Sequence, residues 1–190
     1  AGTFLMGDES FEDAHPVQVS LSKGFWIGKY EVLGDEAHLF NAGGQKLGNR
    51  YAKCLPPSIG SVDKVAPEMR KWQKYLAEKG IAYEGWTYDY PTEAEWEYAC
   101  RAGTSAGYPS AIKDLGKYGN FADRTLYEDR ELVHYVYANT EADDGYGRVF
   151  APVGQYLPNP WGIHDMLGNL AELCSTYYPV SYTHLTLPTR

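Results

Sequence analysis

A mixed α and β domain with few helices, short strands and much ordered loop is what this sequence predicts, and three observations carry the prediction. Its 190 residues include 20 Gly and 11 Pro, about a sixth of the chain, together with 17 Tyr and 5 Trp. Tyr and Trp bury large faces while keeping a polar edge for hydrogen bonds, so they can pack irregular segments where a regular bundle would use Leu. Period-two patterning near the N-terminus predicts strands, and residues 91–103 carry both start and stop signals of a helix.

Taken in order, residues 17–21 alternate apolar and polar side chains, and residues 25–32 follow after a Lys23-Gly24 turn, so the two runs predict an antiparallel hairpin. Residues 34–41 could form one or two helical turns ended by Gly43-Gly44. From 45 to 64 there is no period, and Pro56-Pro57 marks a long surface loop. Pro67 can open a helix in its first turn, with Met69, Trp72 and Leu76 at helical spacing and Gly80 as its stop; its apolar face belongs to the core. In 91–103, Thr92 caps a helix, Glu95 reaches back to the cap's own N–H, and Gly103 supplies a left-handed stop. Trp96, Ala99 and Cys100 share one face of it, and its carboxylates need no catalytic explanation. Beyond Gly103 the chain returns to Gly-, Tyr- and Asp-rich loop, with brief strand candidates at 133–137 and 149–153. No internal repeat or dividing linker is evident, so one domain is expected.

Composition removes several function classes. With 17 Lys and Arg against 25 Asp and Glu, the net charge is −8, and no basic cluster exists to displace counterions from a nucleic acid. No stretch approaches the roughly twenty apolar residues of a spanning helix. Cys54, Cys100 and Cys174 show no metal-type spacing and read as buried free thiols. No leader-like stretch opens the sequence at Ala1, so a signal peptide is not expected within these residues, and the compartment stays open between bacterial cytoplasm and cell envelope.

Four segments together, 2–7, 25–32, 91–103 and Asn159-Pro160-Trp161-Gly162-Ile163-His164-Asp165-Met166-Leu167-Gly168-Asn169, resemble one family, that of the formylglycine-generating enzyme or sulfatase-modifying factor. The resemblance implies a compact α+β domain, distantly like C-type lectins, with few helices, short twisted antiparallel sheets and much ordered loop. Departures from the family pattern are Asp89-Tyr90 in place of Arg-Leu, Leu33 in place of Thr, and Ala171-Glu172-Leu173 in place of Trp-Glu-Trp. The likeness runs over residues 1–179, a partial domain. Residues 180–190 resemble a translated sequencing adapter and read as a non-native tail, which would make the chain a fragment of an assembled environmental sequence; a genuine alternating strand is the other reading.

The resemblance implies oxidation of a cysteine in a client sulfatase to formylglycine, with molecular oxygen and a copper ion held by two soft thiolates. In the family those cysteines follow a Gly-Gly-Ser-Trp-like strand that this chain lacks, so Cys54, Cys100 and Cys174 are not assigned to copper, no catalytic residue is assigned, and copper is expected only in a full-length parent. A sulfatase polypeptide is then the partner, and the chain is expected to be a monomer. A non-catalytic binding or structural module on the same scaffold is the alternative. An iron-dependent sulfoxide synthase is a third, disfavoured because His15, His38, His134, His164 and His184 are scattered.

Two structural calcium sites also follow from the resemblance. The first would use Asn120 and Asp144 side chains with the Phe121 and Tyr146 carbonyls; the second would use Asp165 and Glu172 carboxylates with the Gly168 and Leu170 carbonyls. Calcium accepts such mixed oxygen sets at loose geometry. The plainer readings are that Asp143-Asp144-Gly145 is a solvated turn, that Asp165 caps the Gly168-Asn169 turn, and that Glu172 points to water.

Overall fold

The computed structural model describes residues 1–9, 15–32, 62–105, 112–121, 123, 143–146 and 150–175. Strand β1, Gly2–Met6, pairs antiparallel with β2, Val17–Leu21, in the register Gly2↔Leu21 to Met6↔Val17. Alternation decides the faces: Met6 and Val19 point inward with Phe4 and Leu21 beside them, while Thr3 and Ser20 share a hydrogen bond on the outer face. The expected pairing of 17–21 with 25–32 is therefore corrected, since residues 25–32 form no strand. Their apolar residues are used otherwise: Phe25 and Ile27 pack on a cluster of Ala99, Ile163 and Met166, and the Lys29 carbonyl accepts the His164 N–H at 3.0 Å. One-sided burial produced the period-two pattern without a ladder.

Helix α1, Val62–Glu78, begins five residues before Pro67, which lies inside the helix instead of opening it. Leu76 is buried, Met69 and Trp72 are half-buried, and Gly80, at φ +67°, closes the end as expected, with Gly80 N–H donating to Ala77 O and Ile81 N–H to Leu76 O.

Helix α2, Glu93–Arg101, carries both halves of its capping box: Glu95 N–H donates to Thr92 Oγ1 at 3.1 Å and Thr92 N–H to Glu95 Oε2 at 2.8 Å. Its stop differs in detail from expectation, because Ala102 is the first left-handed residue, at φ +46°, with Gly103 following at φ +83°. Burial of Ala102 and its N–H bond to Tyr98 O offset the strain of that conformation. The helix carboxylates are structural. Glu97 Oε1 accepts Gly7 N–H at 2.8 Å and Arg101 Nε at 2.7 Å, while Arg101 Nη2 donates to Gly7 O, so the end of β1 is clamped to α2. Replacing Thr92 by Ala is expected to destabilise the domain by about 1 kcal/mol, seen as an earlier urea midpoint.

A 3-10 helix, Ile112–Lys117, leads into β3, Gly119–Asn120, which pairs with β4, Leu167–Gly168. This pair is parallel, so the described sheets are not all antiparallel. Residues 150–153 contribute no strand beyond an isolated bridge at Pro152. The expected helical turns at 34–41, most of the 45–64 loop, the strand candidate 133–137, Cys54 and the 180–190 tail lie outside the described residues. Among the described residues, two α-helices with short sheets and much loop agree with an α+β domain.

Candidate metal centre

The β3–β4 pair places the two expected cation loops side by side, and it can form only because glycine occupies both strands. A Cβ on Gly119 would stand 1.7 Å from Leu167 O, and one on Gly168 would stand 1.9 Å from Asn120 O. Gly168 also needs its φ of +75°.

At the first loop the structure brings Asn120, Phe121, Asp144 and Tyr146 together. Asp144 is 8% exposed, its Oδ2 accepting Phe121 N–H at 2.9 Å and its Oδ1 accepting Tyr146 N–H at 2.7 Å. A cation would share these oxygens through their remaining lone pairs. Asp144 is thus no solvated turn residue, although its neighbour Asp143 is exposed and accepts Gly145 N–H as an ordinary turn would. A further carboxylate, Asp123, is fully buried and accepts Asp144 N–H at 2.8 Å. Burial raises the Asp144 pKa, the Phe121 and Tyr146 N–H groups oppose this, and the charges of Asp123 and Asp143 add to the rise. Such a concentration of negative charge suits a divalent ion.

At the second loop Asp165 sits in the left-handed region at φ +59°, 4% exposed. Its Oδ2 accepts Gly154 N–H at 2.6 Å instead of capping the Gly168-Asn169 turn, and its Oδ1 is buried without a hydrogen-bond partner. Glu172 lies at the surface, yet protein crowds its carboxylate, which receives the indole N–H of Trp96 and does not simply face water. Burial raises the pKa of both acids, and the Asp165 charge adds to the rise at Glu172. A buried acceptor with nothing to accept is costly, and a cation beside Asp165 Oδ1 would remove that cost, so the residues present fit calcium here. Among the described residues no three His, Cys, Asp or Glu side chains converge as a metal cluster. The expected sites instead rely on carbonyl oxygens for half of their ligands, which is usual for calcium and unusual for softer metals.

Sequence reasoning missed Glu31, Asn169 and Asp123 as parts of this centre. Glu31 is buried and accepts Asn169 Nδ2 at 2.6 Å and Leu170 N–H at 3.2 Å. Its only signal was an acid within an apolar and aromatic run; for Asp123 it was the spacing of three from Asn120. Burial pushes the Glu31 carboxyl up to about 7, the Asn169 hydrogen bond opposes, and the charges of Asp165 and Glu172 push it further. The folded state therefore holds a proton that the unfolded chain, with a carboxyl near 4.5, has already released. Stability of the calcium-free domain is expected to fall as pH rises between those two values, by about 2 kcal/mol after allowance for solvent screening. Urea unfolding in chelator below and above that window measures it, and Glu31→Gln should flatten the dependence.

The two described cysteines are held among protein groups. Cys100 and Cys174 are free thiols, and burial, helped at Cys100 by Glu97 and at Cys174 by Glu93, pushes both up to about 11. Cys100 Sγ rests on Met166 O at 3.6 Å. His15 is exposed, and His164 has a structural role, holding the Tyr156 carbonyl through Nδ1 at 2.9 Å while its ring lies against Tyr30. No described helix is long and apolar enough to cross a membrane.

A formylglycine-generating enzyme of Mycobacterium tuberculosis is 39% identical over 101 residues, which is 52% of this chain and 31% of that protein. That of Streptomyces coelicolor is 38% identical over 92 residues, 48% of this chain and 27% of its own length. The serine/threonine-protein kinase pkn1 of Chlamydia caviae is 25% identical over 203 residues, covering 97% of this chain and 28% of the kinase. The chain thus spans about a third or less of these relatives. No solved structure matches. The family model of the sulfatase-modifying factor enzyme 1-like domain matches residues 1–187, running into the segment 180–190, and the chain belongs to that family.

Proposed function

We propose that this domain serves formylglycine generation, as part of an oxidase that converts a cysteine of a client sulfatase to formylglycine with molecular oxygen and thiolate-held copper. The likeness to formylglycine-generating enzymes over about half of the chain is the observation that carries this reading. In the family the copper cysteines follow a Gly-Gly-Ser-Trp-like strand that this chain lacks, so no step of the oxidation is assigned to Cys100 or Cys174. What these residues do is hold the loops around β3 and β4, with calcium as a structural ion at Asn120, Phe121, Asp144 and Tyr146 and at Asp165, Gly168, Leu170 and Glu172. The orphaned Asp165 Oδ1 supports the second ion, and the buried Asp144 supports the first.

A binding module without oxidase activity is the second reading, favoured by a relative named as a kinase, which matches nearly the whole chain. One experiment separates them. A peptide with the sulfatase Cys-x-Pro-x-Arg motif is incubated with copper and oxygen, once with the 190-residue chain and once with any longer gene product containing it. Mass spectrometry is expected to find aldehyde only with the longer product. Aldehyde from neither supports the module, and turnover by the 190-residue chain above a copper-only control overturns the exclusion of Cys54, Cys100 and Cys174.

A further inference from the structure

We propose that Asn169 is a positioning residue shared by both calcium sites, so that each ion binds more tightly when the other is present; this rests on the two-calcium reading above. Asn169 stands between Gly168 and Leu170 of the second site and touches Asn120 of the first. Its N–H donates to Asn120 O at 2.6 Å, and its Oδ1 accepts Asn120 Nδ2 at 3.2 Å and Ala151 N–H at 2.8 Å. Its Nδ2 donates to Glu31 Oε2 at 2.6 Å and also reaches Ala151 O at 3.3 Å. One residue therefore satisfies groups from three other segments, and its φ of +63° is a conformation that Asn tolerates better than most residues.

The backbone reinforces the link, because Asn120 pairs with Gly168 across β3 and β4. An ion that orders either loop fixes the Asn120–Asn169 contact. The ordering cost of the other loop is then already met when the second ion arrives, which is positive coupling without any large movement. Coupling of this kind commonly changes affinity by about 5-fold or more, and equally in both directions.

Calorimetric calcium titration of the 190-residue chain tests this, using wild type, Asp144→Ala, Asp165→Ala and Asn169→Gly, since Ala removes the ligand oxygen that Asn would keep. The wild type should bind two ions. Each Asp variant should lose one and hold the other about 5-fold or more weakly than wild type does, by the same factor in both. Asn169→Gly accepts the positive φ and should bind two ions independently. Thermal unfolding gives a second readout should that variant fail to fold: the calcium-induced rise in wild-type Tm should exceed the sum of the rises in the two Asp variants. Two ions bound with unchanged affinity for the remaining site in the Asp variants would overturn the coupling and leave the calcium reading standing. Fewer than two ions in wild type would overturn both.

Discussion

Replacing Asp165 by Ala is expected to remove one bound calcium ion and to lower calcium-loaded stability by about 3 kcal/mol. Three losses act together. The acceptor for Gly154 N–H at 2.6 Å disappears, the carboxylate with the orphaned oxygen is gone, and Ala must hold a φ of +59° that Asp tolerates better. In chelator the penalty should be smaller, because burial raises the pKa of Glu31 and Glu172 and removing this carboxylate relieves the repulsion that adds to that rise. Denaturant unfolding with calcium and with chelator gives the two values. An equal penalty in both would mean that Asp165 is only a turn residue. Asp165→Asn separates the causes, since Asn keeps the positive φ and an oxygen for Gly154 but lacks the charge.

Gly119→Ala should act more severely, with a loss above about 4 kcal/mol and of both calcium ions. The new Cβ would lie 1.7 Å from Leu167 O and 2.7 Å from Leu167 C, and these are backbone atoms that cannot swing aside. Strands β3 and β4 would have to separate, and the Asn120–Gly168 pair and the Asn169 contacts depend on them. Gly85→Ala is the control. Gly85 also has positive φ, +79°, but nothing lies within 4 Å of a Cβ there, so its cost is the backbone strain alone, about 1 kcal/mol. A Gly119→Ala chain that keeps wild-type stability and binds two ions would refute the close approach on which the centre is built.

Where a structural feature lies within a few residues of its cause, it was legible in the sequence. Thr92 and Glu95 announced the α2 start because both partners of the capping box sit on one helical turn, and Gly80 announced the α1 end for the same local reason. Alternation from 17 to 21 correctly announced a strand, since period two reports one buried face. That pattern carries no information about which strand lies alongside, and so β1 was missed as the partner and 25–32 was expected in its place. Helix α1 was placed too short because Pro67 suits a first turn, while flanking residues extended the helix upstream of it.

The same division runs through the candidate centre. The resemblance named Asp165, Gly168, Leu170 and Glu172 together because they belong to one short loop, and that loop is where the sequence places its acids. Only the tertiary structure could add Glu31, which meets Asn169 across 138 residues of chain, or bury Asp123 behind Asp144. Sequence by itself determined the capped helix, the strand alternation and the acids of each loop, all set by hydrogen bonds and burial patterns a few residues long. Strand partners, the burial that raises the Glu31 pKa, and the single amide joining both loops were decided by the tertiary structure, because contact between distant residues depends on how the chain closes and not on any local pattern.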